Sequence, residues 1–257
     1  MHAAQGGGQL PDPFAPGKLN DLIASAPIVS PLVGGLRRVA LLDTGDLGAT
    51  RQMIDFLDGD IRDPSTGPAG DLHGHGTAVA TVIRAMRPTV DIHPLRVLNK
   101  RGTGRSHEVL AGLMYAMWCG HYDLINASLT TAVSHACDAT YGRSIDYLAT
   151  YCRRNSGVMV PEVPVLVAAA GNGSGNPSGY PARMRGAIVA LATDLHSQAQ
   201  PYNSTPPAQA ITQYAYGGSA TDPLGNLNPL TRVTGAGASL WGTSLAAPVV
   251  SGAYLPP

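Results

Sequence analysis

Short apolar runs of strand length alternate along this chain with stretches whose apolar residues recur at helical spacing. Val39 to Leu42 is the first run, and Gly76 to Met86 has helical composition after it. Ile92 to Leu98 reads as a second strand, followed by Val109, Leu113, Met114 and Met117 at helical spacing. Asp123 to Leu129 is a third strand, residues 141–154 suggest another helix, and Val163 to Ala170 and Ala187 to Ala192 are two more buried strands. Strands of this kind have no polar face to turn to water, so both faces need cover. Helical crossovers between them make neighbouring strands parallel. The pattern therefore predicts an α/β fold, a three-layer, doubly wound, mostly parallel sheet with helices on both faces. Residues 195–240 break the rhythm with Pro, Gln, Asn, Gly and Tyr, and read as long loops or short hairpins.

Of the 257 residues, 44% are hydrophobic, enough for one sizeable core. Residues 1–35, rich in Gly, Pro and Ala, read as an N-terminal arm, and residues 36–257 as a single domain without internal repeats. With 17 basic and 17 acidic residues the formal net charge is zero, and no basic block is present, so no nucleic-acid partner is expected. No apolar run approaches the ~20 residues of a membrane-spanning helix, so no membrane partner is expected either. The opening residues lack the pattern of a signal peptide, and the three cysteines, Cys119, Cys137 and Cys152, have no C-x-x-C spacing. A cytoplasmic location is the expectation from those two observations.

In parallel sheets the chemistry gathers at the carboxyl ends of the strands. Asp43-Thr44-Gly45 follows the first strand, and Asp71-Leu72-His73-Gly74-His75-Gly76-Thr77 opens the first helix. Gly171-Asn172-Gly173 follows a later strand, and Gly242-Thr243-Ser244-Leu245-Ala246-Ala247-Pro248 opens the last helix. An acid, a histidine, an amide and a serine at element ends are the parts needed for nucleophilic acyl transfer. Each has a plainer reading: Asp43 as a turn residue, Asn172 in a left-handed turn, Ser244 as an N-cap, and Asp71, His73 and His75 as metal ligands. Pro177 and the absence of a third fingerprint glycine exclude a dinucleotide loop at Gly171 to Gly175, and Ala246 breaks the G-x-S-x-G elbow of α/β-hydrolases.

Taken together, these segments resemble the subtilisin-like serine protease family, the subtilases of peptidase family S8, with their order of Asp, then His, then Ser. The resemblance runs over residues 37–254 and includes Leu95-Arg96-Val97-Leu98 with Gly102-Thr103-Gly104, Asp123 to Leu129, and Gly179-Tyr180-Pro181 before Ala187 to Ala190. It implies a serine endopeptidase acting on a peptide or protein substrate through an acyl-enzyme. Ser244 is then the nucleophile, His75 the base and acid, Asp43 the residue that orients His75, and Asn172 the oxyanion-hole donor. His73 becomes a turn or rim residue.

The resemblance also implies that substrate lies extended between two edges, one at Gly102, Thr103 and Gly104, the other at Ser128, Leu129 and Thr130. The primary pocket would be walled by Ser128 to Thr130 and by Ala168 to Gly171, including Ala169, with Gly179 as its floor. Small residues there imply room for a sizeable apolar side chain, although Thr130-Thr131 stands where many subtilases have glycines and narrows the entrance. Lys100, Arg101 and Arg105 flank the other edge and would favour acidic residues upstream of the cut. No cofactor is expected, with calcium left open only at a weaker site such as Asp222 and Asn226 in the late loop. A calcium loop after the His75 helix would have to fit between Met86 and Ile92, too few residues to supply the roughly six to eight oxygens calcium takes. An acyl transferase or peptide macrocyclase on the same scaffold, and a regulatory binding module that retains the fold, are the other readings; a regulatory partner is left open.

Overall fold

Val39 to Leu42 have no exposed surface at all, which requires cover on both faces and paired neighbours on both edges. The computed structural model, which describes residues 38–49, 53–57, 70–118, 122–131, 164–219 and 241–255, supplies both. Strand β1 (Arg38–Asp43) runs parallel to β3 (Asp91–Arg96) on one side and to β4 (Leu124–Ala127) on the other. With β2 (Ile54–Asp55), β5 (Val165–Ala169), β6 (Ile188–Thr193) and β7 (Ile211–Tyr216) they form a seven-stranded sheet in the order β2-β3-β1-β4-β5-β6-β7. Every pairing in it is parallel.

Successive side chains of a strand point to opposite faces, and the two faces have different cover. Val39 and Leu41 pack with α1 (His75–Met86) and α3 (Thr243–Tyr254). Ala40 and Leu42 pack with α2 (Ser106–Trp118). The result is the three-layer α/β arrangement read from the alternation of runs.

From β1 the chain crosses to the edge strand β2, comes back inward to β3 beside β1, and then places β4 on the other side of β1. Strand order thus reverses between β1 and β4, and the loops leaving their carboxyl ends part in opposite directions. A crevice at that point is the usual ligand site of an open α/β sheet. Asp43 ends β1, and Ser128 directly follows β4.

Five strands and two helices lie where the periodicity predicts them, with ends shifted by one to a few residues. Two strands were not predicted. β2 is two residues long, too short for any period. β7 replaces part of the loop expected over residues 195–240; Ile211, Thr212 and Tyr214 are exposed, and only Ala215 and Tyr216 are buried. Its backbone pairing with β6, from Ile188↔Ile211 to Thr193↔Tyr216, makes it a strand without an apolar pattern. The predicted arm, the helix over 141–154 and the three cysteines lie outside the described residues.

Candidate active site

Helix α1 brings His75 to the end of β1. A side chain at Gly76 would run into the Gly45 carbonyl and meet the Asp43 Cβ at 3.1 Å, so glycine is what lets the helix start this close to the strand. His75 Nδ1 lies 2.7 Å from Asp43 Oδ1, which also accepts the Thr44 N–H at 2.7 Å. This pairing assigns the proton to Nδ1 and leaves Nε2 as the acceptor. Both side chains are buried, with Asp43 wholly so.

The first amides of α1 have no helical acceptors, and a local set of oxygens takes them up. Asp71 Oδ2 accepts the Thr77 N–H (2.8 Å) and hydroxyl (2.9 Å); Oδ1 accepts the N–H groups of Gly74 (2.7 Å) and His73 (3.1 Å). Thr44 Oγ1 accepts the Gly76 N–H at 3.0 Å. Burial works to raise the Asp71 pKa, but the bonds from Thr77, Thr44 and Gly74 outweigh it and hold the carboxyl below its ordinary value. The carboxylate is therefore a helix-capping anion with both oxygens engaged. For His75, burial works to lower the pKa. The charge and hydrogen bond of Asp43, with a further contribution from Asp71, overcome it and raise the imidazole above its ordinary value.

Helix α3 starts differently. Its N-cap is Gly242, at φ 139°, and a side chain there would collide with the Asn172 amide, 2.6 Å from Nδ2. Asn172 Oδ1 accepts both the Thr243 N–H (2.9 Å) and the Thr243 hydroxyl (3.0 Å). The Gly171 N–H in turn donates to Thr243 Oγ1 at 3.0 Å. With Oδ1 committed to Thr243, the Nδ2 donors of Asn172 are left for the cleft. Ser244 follows as the second helical residue, half-buried at the cleft. Pro248 lies inside α3 and has no N–H for the Ser244 carbonyl four residues back.

These groups share one cleft of about 470 Å³ at the carboxyl edge of the sheet. His75, Asn172 and Ser244 line it, with Asp43 buried behind His75. Gly102, Thr103 and Gly104 form one edge of the cleft; Ser128, Leu129 and Thr130 form the facing edge, and Ala169 and Gly171 continue the wall. Gly179, the expected floor, is buried beneath Thr130 and Thr131. Among the described residues no hydrogen bond joins His75 to Ser244, a common state of such pairs without substrate.

Three contributors escaped the sequence reading of roles: Thr243 orients Asn172, and Thr44 and Asp71 organise α1. His73 lines the cleft edge-on to His75, with ring centroids 6.2 Å apart. The spacing of Asp71 before Thr77 was a readable capping signal; the role of Thr243 was not readable, since its partner is 71 positions away. Ser128 is held from behind: Asn126 Nδ2 donates to its hydroxyl at 3.0 Å, and Ser251 of α3 donates to Asn126 Oδ1 at 2.8 Å.

An acid, a histidine and a serine meeting at a crevice of an open parallel sheet define the serine-hydrolase class of α/β protein. The family comparison narrows this: residues 39–255 match the subtilase family model, and the chain belongs to that family of serine endopeptidases. It is 30% identical over 230 residues to a thermostable alkaline protease of Halalkalibacterium halodurans, covering 86% of this chain and 56% of that protein. It is 29% identical to subtilisin DY of Bacillus licheniformis over 84% of this chain and 74% of the relative. The crystal structure of a lanthipeptide protease superposes with a TM-score of 0.64 at 24% identity, covering 84% of this chain and 71% of that one, a likeness of fold.

Proposed function

We propose that this chain is a serine endopeptidase that cleaves peptide bonds through an acyl-enzyme, with Ser244 as nucleophile. The observation that carries the reading is the 2.7 Å pairing of a wholly buried Asp43 with His75 in the cleft that Ser244 lines. Asp43 fixes the imidazole with Nε2 as acceptor and stabilises the imidazolium that forms when His75 takes the Ser244 proton. The same proton then goes to the leaving amine, and water repeats the sequence to release the acid. Asn172 donates Nδ2 to the tetrahedral oxyanion, with the Ser244 backbone N–H at the positive end of α3 as second donor. Substrate lies between the Gly102–Gly104 and Ser128–Thr130 edges, where main-chain pairing supplies affinity with little sequence preference.

A fluorophosphonate probe tests this directly. The full chain should be labelled on Ser244 and should hydrolyse a denatured protein, and Ser244→Ala should lose both on the order of 10⁶-fold in turnover, the size of a subtilisin triad deletion. Labelling that survives in the folded Ser244→Ala protein would exclude the assignment.

A further inference from the structure

Given the peptidase reading, the cleft also carries information on which bond is cut. β4 and β5 pair from Leu124↔Val165 to Ala127↔Ala168. Beyond those residues the chain after β4 parts from β5, which stays paired with β6 at Ala169↔Ala190, and Ser128 to Thr131 line the cleft together with Ala169, Gly171 and Asn172. A scissile carbonyl with its carbon at Ser244 Oγ and its oxygen at Asn172 directs the preceding side chain between these two walls. The depth and width of this slot therefore decide which residue can precede the cut.

Thr130 protrudes into it. Its Cγ2 lies 3.4 Å from the place a Cβ would take on Gly171, in the opposite wall. Its Oγ1 lies 2.7 Å from the corresponding place on Gly179, at the floor. The methyl and the hydroxyl occupy the space beside the two glycines, and Thr130, exposed at the cleft, narrows the passage between them. Rotating χ1 does not clear the slot, because a β-branched side chain fills two of its three staggered positions.

The wall cannot swing aside either. The Thr131 N–H donates to the Tyr180 carbonyl at 2.8 Å, and the Tyr180 N–H donates to Thr131 Oγ1 at 3.0 Å. The Thr131 carbonyl stands where a side chain on Gly179 would be. Thr130 is thus carried on a strap bonded to Tyr180, and it narrows the sizeable apolar pocket expected from the small residues around it.

We infer that Thr130 is the specificity-determining residue of the primary pocket and restricts cleavage to peptides with glycine, alanine or serine immediately before the scissile bond. This rests on the serine endopeptidase reading, so the test reports on the two separately. The full-length protein is assayed on fluorogenic peptides identical except for Ala, Leu or Phe before the cleaved bond, with fluorophosphonate labelling alongside. Wild type should favour Ala over Leu and Phe in kcat/KM by at least about tenfold, the scale of discrimination a hydrophobic pocket achieves by size. Thr130→Gly should invert that preference, and Thr130→Ser, which deletes only Cγ2, should raise Leu relative to Ala severalfold. A labelled wild type that cleaves after Phe as fast as after Ala overturns the inference, as does a labelled Thr130→Gly with the wild-type preference. If Thr130→Gly loses labelling, the Thr130→Ser ratio decides, and no gain on Leu overturns it. A wild type that neither labels nor cleaves overturns the peptidase reading, and this inference falls with it.

Discussion

Helices α1 and α3 point their N-termini into one cleft, yet they are held there by different means. α1 is capped from its own neighbourhood: Asp71, four residues before His75, takes the amides of Gly74 and Thr77. Both helices have glycine at the N-cap, Gly74 and Gly242, but the first amide of α3 is taken by Asn172, 71 positions earlier in the chain. His75 is therefore placed largely by local sequence. Ser244 and Asn172 are placed by each other, since the bond that caps α3 is also the bond that aims Asn172.

That contrast is open to attack at the α3 end first. Asn172→Ala should lower kcat by on the order of 10²–10³ with little change in KM, the range for loss of one oxyanion donor. It should also cost about 1 kcal/mol of stability by uncapping α3, which thermal unfolding would detect. Thr243→Val separates the two roles. It keeps the N–H bond to Asn172 but removes the hydroxyl that bridges Asn172 and Gly171, leaving a buried N–H unpaired at a cost of about 1–3 kcal/mol. A smaller fall in kcat than for Asn172→Ala is expected. Unchanged kcat in both variants would mean that Asn172 serves only to cap the helix.

At the α1 end, Asp71→Asn sharpens the comparison through pH. Asp71 helps hold the His75 pKa above its ordinary value of 6.5, so losing its charge should move the acid limb of kcat/KM to lower pH. An unmoved limb would show that Asp71 acts on the helix alone. The stability terms have their own signs. His75, with a raised pKa, stabilises the fold fully below 6.5, and this contribution disappears as pH rises through the raised value. Activity runs the other way, because the base must be neutral. Asp71, with a lowered pKa, contributes above 3.8, and its contribution is lost as pH falls through the lowered value.

The smallest effect is expected at the far end of α1. Only Arg87 to Val90 separate it from β3, and the Arg87 side chain donates to the carbonyls of Met86 and Leu255 at 2.9 and 2.8 Å. A cation closes this turn, with few oxygens to spare for calcium. Millimolar calcium against excess EDTA should shift the Tm by less than about 2 °C, under 1 kcal/mol for a chain of this size. A larger shift would mean that the folded chain holds calcium at a site of useful affinity, against the expectation.

Five strands, two of the helices and the segments bearing Asp43, His75, Asn172 and Ser244 were legible in the chain because they obey local rules. A buried strand is apolar at nearly every position, a helix repeats every 3.6 residues, and chemistry sits where strands end. The capping spacing of Asp71 belongs to the same local code. β7 was not legible, because an exposed edge strand needs only backbone pairing to β6 and carries no apolar signature. The bond from Asn172 to Thr243 was not legible either, nor the placing of Thr130 between Gly171 and Gly179. Those depend on how far two strand ends diverge and which side chain enters the gap between them. Such distances exist only once the sheet has brought together residues tens of positions apart, and no periodicity encodes them.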